Sequence, residues 1–423
     1  MAEARETGSG FEPYRWAVPP EEVAARNGIP ASHVLRFDAN LPPFPAPLPR
    51  VARTALAERA DYPEGTYREL REAAAGYTGS DPDEIAIDAG ADGLLGLVAR
   101  TFLGPGRSAV VEEPTYPVYA IATRIEGAEV VAARRDLEAL AEAARDAHVL
   151  WICNPGNPTG ALFAADDVAA LADSLPGTLV CVDEAYYEYS GETTAPHARE
   201  RPNLVCVRTL SKAFGLAGLR VGYAVGSRQV ATELTDRRAP GPIANFAAAL
   251  GVAALRAPEA AAAEAAHARD ERERLRRAFE EAGYDVFDAH GNFAVVRTPD
   301  ALELAAGLEQ RGLVVRAYPG LLRIGTRSPA DGDLLLEALG IDPPPAARRS
   351  ATVLGAGARV SFVLDGSGRA SSRTGDDAYD ARVEEGAAEN GWDLELVADA
   401  GAARDEIDRI LAEAEERASL VRV

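Results

Sequence analysis

Lysine is all but missing from this chain. Among 423 residues, 44 are Lys or Arg, and only one of these, Lys212, is a lysine. Cysteine is scarce too, and the three residues Cys153, Cys181 and Cys206 lie inside apolar, strand-like runs. An odd number without metal-ligand spacing excludes a disulfide framework and a metal centre, leaving buried free thiols and the cytoplasm as the expected compartment. An excess of positive charge is also lacking, since 66 acidic residues give a net charge of −22. Nucleic acid and anionic membrane, which need basic patches, are thereby excluded as partners. Small phosphorylated ligands are not, because a local cluster of arginines suffices for them. No uncharged apolar run approaches the roughly 18 residues of a spanning helix. The opening "MAEARETGSGFEPY" lacks the apolar stretch of a signal peptide.

What is present is ordinary for a soluble globular protein, 47% hydrophobic and 26% charged, with length for two or three domains and ample core. From about Arg50 to Arg238, helical patterns alternate with short β-rich runs: "SAVVEEP", "AEVVAA", "HVLWICNP", "TLVCVDEAY", "NLVCVRT" and "VGYAVG". That alternation predicts an α/β domain with a largely parallel sheet. A long Ala/Glu/Arg helix is expected from about Ala244 to Ala282, its "RDERERLRRAFEE" portion a solvated face with i,i+4 pairs. Tyr284 to Leu339 reads as strand, helix, strand, helix, and "GIDPPPAARRS" as a linker. Ala351 to Val423 follows as a separate segment with two strand signals, "ARVSFVLDG" and "WDLELVAD", and a terminal helix.

Lys212 lies in "TLSKAFGLAGLR" (Thr209 to Arg220), which follows a strand. "CNPGNPTG" (Cys153 to Gly160) and "VDEAYYEY" (Val182 to Tyr189) end two others, and "DAGADGLL" (Asp88 to Leu95) opens a helix. In an open α/β sheet that rim is where ligands bind. A lone amine among groups that suit an anion suggests a Schiff base. The amine condenses with an aldehyde only when neutral, which requires a pKa well below ~10.4. Arg220, Thr209 and Ser211 are suited to clamp a phosphate, and the turn at Gly90, Ala91 and Asp92 adds backbone N–H groups. Asp92 itself reads as a helix N-cap. Asp183, a carboxylate at a buried strand end, needs a partner.

In this order and at these intervals, "NPGNPTG", "DEAY" and "SKAFGLAGLRVGY" resemble the fold-type I, class I/II aminotransferases that use pyridoxal 5'-phosphate. Within them the chain is most similar to the histidinol-phosphate aminotransferases, from about Tyr14 to Leu339. The resemblance implies an α/β fold: a large, mostly parallel-sheet domain over residues 50–243 and a small α/β domain over 244–343. Residues 1–49 would join the small domain and the dimer interface, and 344–423 would form an α+β extension.

The same resemblance implies roles. Lys212 would form the Schiff base and shuttle the proton at the substrate α-carbon. Asp183 would pair with the protonated pyridine nitrogen, and Asn157 and Tyr186 would hydrogen-bond the ring's phenolic oxygen. Tyr116 would stack on the ring, while Ala91, Asp92, Thr209, Ser211 and Arg220 would hold the phosphate. Tyr62 would reach the phosphate of a neighbouring subunit, implying a homodimer. Arg323 would grip the substrate carboxylate or its equivalent, with Asn40 close by, and Arg316 and Tyr14 would approach the phosphate end of the substrate. The implied partners are a small amino donor and a 2-oxo acid acceptor, histidinol phosphate and 2-oxoglutarate. Two departures from the family pattern leave room for another substrate. Asn40 is followed by Leu41-Pro42-Pro43 in place of Glu-Asn-Pro, and Gly93 replaces a glutamate after Gly90-Ala91-Asp92. Aromatic aminotransferases and threonine-phosphate decarboxylases use the same frame and remain alternatives.

From about Arg348 to Leu420 the chain is similar to the first half of the imidazoleglycerol-phosphate dehydratases, at Leu364–Gly368, Thr374-Gly375, Asp380 and Trp392–Leu394. Those enzymes need histidine ligands, and the last histidine here is His290; Asp380-Ala381-Arg382 and Glu389 fill the ligand slots. The segment is therefore expected to be a catalytically dead half-domain.

Overall fold

The structure is a computed structural model that describes residues 7, 10–14, 16–43 and 60–345, and the backbone of three strands beyond them. The chain divides into two units, the first comprising Met1–Trp16, Phe44–Ala265 and Phe287–Val295. Its centre is a seven-stranded sheet: β1 Ile85–Asp88, β2 Ser108–Glu113, β3 Glu129–Arg134, β4 Val149–Cys153, β5 Leu179–Asp183, β6 Leu204–Thr209 and β7 Gly222–Val225. The spatial order is β1-β7-β6-β5-β4-β2-β3. All neighbours are parallel except β7, which runs against both β1 and β6. Every residue of β4, β5 and β6 is buried. That is why they read as continuous Val/Leu/Cys runs: a parallel sheet covered on both faces has no polar side. The six sequence-predicted strands are all present, and β1 joins them.

Helix α1, Gly90–Phe102, buries Leu94, Leu95 and Val98, and α2, Val118–Ile125, buries Tyr119 and Ala122. These side chains share one core with Trp151, Cys181 and Val207 of the sheet. The single helix expected from Ala244 to Ala282 is two, Asn245–Arg256 and Glu259–Glu281. Pro258 stands at the break, where a missing N–H and a clashing ring end the first helix.

The second unit comprises Ala17–Pro43, Ala266–Val286 and Val296–Val423. The strands β8 Asp285–Val286, β9 Phe293–Arg297, β10 Arg316–Tyr318 and β11 Leu321–Gly325 form a sheet in the order β10-β11-β9-β8, and the chain passes from the first unit to the second within β9. Helices Ala301–Gln310 and Pro329–Ala338 follow the expected alternation, with the β10–β11 hairpin added to it. A short parallel ladder joins Leu35–Arg36 to Leu313–Val314.

The charged run "RDERERLRRAFEE" is only partly a solvated face. Arg276 pairs with Glu273 and Glu280 at the surface, but Glu271 and Arg274 are 3% and 2% exposed. Arg274 donates to Glu271, to Asp333 at 2.6 Å, and to the carbonyls of Pro329 and Pro344 at 3.0 Å each. A buried guanidinium is tolerable because its N–H groups find acceptors. Burial pushes the Glu271 carboxyl up to about 7 against the pull of Arg274.

Strands Arg349–Gly355, Ala358–Leu364 and Asp393–Val397 pair antiparallel in that order. The last two match the expected signals, and the first is an addition. The remainder of the dehydratase-like pattern, residues 365–392 with Asp380 and Glu389, lies outside the described residues, as does the terminal helix. Among the described residues no single helix is long and apolar enough to cross a membrane.

Candidate active site

Strand β6 ends at Thr209 and delivers Lys212 on a tightly bonded loop. Leu210 N–H donates to the Val221 carbonyl at 3.0 Å, Gly215 to Lys212 at 2.8 Å and Leu216 to Leu210 at 3.0 Å. The Lys212 Nζ lies 5.5 Å from the centroid of the Tyr186 ring. The buried hydroxyls of Thr209 and Ser211 are 2.8 Å apart. Arg220 sits in the left-handed region at φ 52°, a conformation that costs a non-glycine residue free energy and marks a position held for a reason. Its guanidinium reaches Ser211 Oγ at 3.4 Å and Asp92 Oδ2 at 2.8 Å.

Two glycines make this approach possible. A Cβ on Gly90 would stand 2.8 Å from Arg220 Nη2, and one on Gly222 would stand 2.5 Å from the Gly90 carbonyl carbon. Helix α1 starts at Gly90 with Ala89 at its N-cap and no capping side chain. Its first-turn amides, left without intrahelical acceptors, therefore face toward any anion held by Arg220 and the hydroxyls. The N-cap reading of Asp92 is corrected: Asp92 is in the first turn, where it accepts from Arg220 and from the Tyr116 hydroxyl at 3.1 Å. Ala91 is buried beside it.

Asp183, the last residue of β5, is 4% exposed. Its Oδ2 accepts from the Tyr119 hydroxyl at 2.8 Å and its Oδ1 from the Ala185 N–H at 3.1 Å. Burial pushes its carboxyl up to about 6, opposed by these two donors and by the charge of Lys212. Tyr119 escaped the sequence reading. The signal was the second tyrosine of "PTYPVY", three residues after Tyr116 and the second residue of α2.

Tyr116 lies between two other rings, 5.9 Å from Tyr119 and 6.2 Å from Tyr14. Tyr14 is thus brought to the group around Asp92. Asn157 is carried by a loop that Arg135 secures: its guanidinium donates to buried Glu112, to the carbonyls of Cys153 and Ala161 at 2.8 Å each, and to Asn154 at 3.2 Å. Tyr186 is 4% exposed and packs edge-on against Phe293 at 5.4 Å. Tyr62 is not gathered in: its residue is 98% exposed. The segment bearing it is nevertheless anchored, through Asn245 to the Asp61 carbonyl at 2.9 Å and through the Tyr67 hydroxyl to the Ile243 carbonyl at 2.6 Å.

The second unit holds the other named residues. Arg316 and Arg323 are register partners across the β10–β11 hairpin, so their side chains share a face. Arg323, 6% exposed, donates to the Asp38 carbonyl at 2.7 Å. The Gly325 N–H donates to the Phe37 carbonyl at 2.7 Å, which lays residues 37–40 along β11. Asn40 is buried there in the left-handed region, its Oδ1 3.2 Å from where a Gly325 Cβ would be.

Comparison with known proteins places this geometry. The family profile "Aminotransferase class I and II" matches residues 32–339. A histidinol-phosphate aminotransferase of Symbiobacterium thermophilum is 36% identical over 357 residues, covering 80% of this chain and 98% of its own. One of Roseiflexus castenholzii is 35% identical, covering 78% and 95%. The solved histidinol-phosphate aminotransferase of Sinorhizobium meliloti, in complex with pyridoxal-5'-phosphate, superposes with a TM-score of 0.70 at 29% identity, over 78% of this chain and 96% of that one. With an amine beside an anion cradle and a buried carboxylate at neighbouring strand ends, on the fold-type I frame, the chain belongs to the class I and II aminotransferases.

Proposed function

We propose that the chain is a pyridoxal 5'-phosphate-dependent aminotransferase of histidine biosynthesis, exchanging an amino group between histidinol phosphate and 2-oxoglutarate. The observation that carries the substrate reading is the identity to histidinol-phosphate aminotransferases along nearly their whole length. The residues fit the cofactor. Asp183 is a buried carboxylate whose donors, Tyr119 and Ala185, are both neutral, so its charge is available to a protonated ring nitrogen. Arg220, Thr209, Ser211 and the N-terminus of α1 supply a fork, hydroxyls and amides suited to a phosphate dianion.

When bound, the cofactor supplies an aldehyde for an amine and a ring that takes up electrons from the substrate α-carbon. The chain supplies the rest. Lys212 Nζ would hold the cofactor and would remove and return the proton at the substrate α-carbon. Asp183 would keep a negative charge at the ring nitrogen, Asn157 and Tyr186 would donate to the phenolic oxygen, and Tyr116 would stack on the ring. Ala91 and Asp92 close the phosphate end. Arg323, with Asn40 close by, would grip the α-carboxylate of 2-oxoglutarate or its equivalent in the amino donor, and Arg316 and Tyr14 would approach the phosphate of histidinol phosphate. Tyr62, exposed on an anchored segment, supports a homodimer in which it serves a second copy. The three buried free cysteines support a reducing compartment, the cytoplasm.

The test is spectroscopic. Protein loaded with pyridoxal 5'-phosphate should lose its visible absorbance band on adding histidinol phosphate and regain it on adding 2-oxoglutarate. A band that ignores histidinol phosphate but responds to another amine would refute the substrate and leave the aminotransferase standing.

A further inference from the structure

Beside Asp183 stands a fully buried polar assembly. Tyr119, Thr123 and Trp151 are each 0% exposed. The Tyr119 ring stacks on Trp151 with centroids 5.8 Å apart and planes 15° from parallel. Trp151 Nε1 donates to Thr123 Oγ1 at 3.1 Å, and Thr123 Oγ1 donates to the Tyr119 carbonyl at 2.8 Å. The ring is therefore held from its face and from its own backbone, and its hydroxyl donates to Asp183 Oδ2 at 2.8 Å. The Cys153 sulfur lies beside the same hydroxyl, and its thiol donates to the Pro155 carbonyl at 3.3 Å.

We infer that Tyr119 is a positioning residue that holds the Asp183 carboxylate in the orientation and anionic form a pyridinium ring needs. The inference rests on the cofactor reading given above. Its physical content lies in the kind of donor used. A guanidinium in this place would also orient the carboxylate, but it would cancel the charge. A phenol satisfies one lone pair and leaves the negative charge for a ligand, and its stacked, bonded ring leaves no rotamer freedom to lose on binding. The charged and titratable groups facing Asp183 are Tyr119 from α2, Cys153 from β4, Cys181 from β5 itself, Asp92 from α1 and Lys212 from the loop after β6. Only Lys212 among them is a cation, so the phenol is a major support of the ionised form.

The sign follows directly. A hydrogen bond to the ionised form lowers a carboxyl pKa, so removing it raises the pH at which Asp183 takes a proton. Cofactor affinity that needs the anion is present above that pH and lost as pH falls through it. In equilibrium dialysis of pyridoxal 5'-phosphate against the full chain across pH, Tyr119→Phe should move the midpoint of the affinity loss upward by about one unit. In an Asp183→Asn background the same change should move nothing, because no charge is left to support. Site-specific 3-fluorotyrosine at 119, a more acidic phenol and so a stronger donor, should move the midpoint downward. Opposite shifts separate hydrogen bonding from simple damage to the core, and the fluorinated chain decides alone if Tyr119→Phe does not fold. An unmoved midpoint, or equal upward shifts in both variants, overturns the inference while leaving the cofactor reading intact. No binding by the unaltered chain at any pH overturns the cofactor reading and the inference together.

Discussion

One amine in a chain of arginines is a chemical statement before it is a structural one, because a guanidinium stays protonated and cannot take Lys212's place as a nucleophile. Residues whose type is forced by the chemistry were legible in this way: Lys212, Asp183, Arg220, Thr209 and Ser211 stand together at neighbouring strand ends. Tyr119 was not, because its partner lies 64 positions along the chain and nothing local marks a tyrosine that points at a carboxylate from one that fills a core. The arginine pair carries a prediction of its own. Like charges directly opposed across a hairpin are destabilising, so a ligand with matching negative charge would relieve Arg316 beside Arg323. Arg316→Gln should raise KM for the phosphorylated amine by about 10- to 100-fold with little change in kcat. Thermal unfolding should be unchanged or slightly later. Steady-state kinetics with histidinol phosphate and with unphosphorylated histidinol check this, and an equal KM rise for both amines contradicts a phosphate role.

Secondary structure was legible where burial shapes composition. The signals of β4, β5 and β6 are apolar because both faces of the sheet are covered there, whereas β1 is four residues long and merges into the helix signal that follows it. Charge density misled at Arg274, since one face of a helix can turn an i,i+3 pair inward when acceptors wait there. The element that matters most for the site is the contact between β7 and the start of α1. A Gly222→Ala Cβ would meet the Gly90 backbone at 2.5 to 2.8 Å and prise the two apart. The expected cost is about 1–3 kcal/mol of stability, as for other overpacked sites, with at least a tenfold loss of cofactor affinity. Gly226→Ala, just beyond the same strand, meets the Val230 side chain at 3.4 Å and the Leu204 carbonyl oxygen at 3.7 Å, ordinary contact distances, and should change neither by much. Melting curves and cofactor titration of the two variants decide, and similar behaviour in both would remove the close contact as a cause.

At the scale of the whole molecule, the family profile ends at Leu339, and the three strands beyond it form a small antiparallel sheet of their own. The aminotransferase body was legible because its motifs recur in order, and the extension only by its two strand signals. The proposed dimer rests on Tyr62, an exposed tyrosine on a segment bonded to the rest of its unit. Chemistry and assembly can be read in one experiment because the chain has one lysine. Protein loaded with pyridoxal 5'-phosphate is reduced with borohydride, weighed by native mass spectrometry and then mapped by peptide. The account predicts a dimer carrying one cofactor mass per chain, on the peptide containing Lys212, and no covalent adduct in Lys212→Arg. An unlabelled chain, or a label that persists in Lys212→Arg, would contradict it.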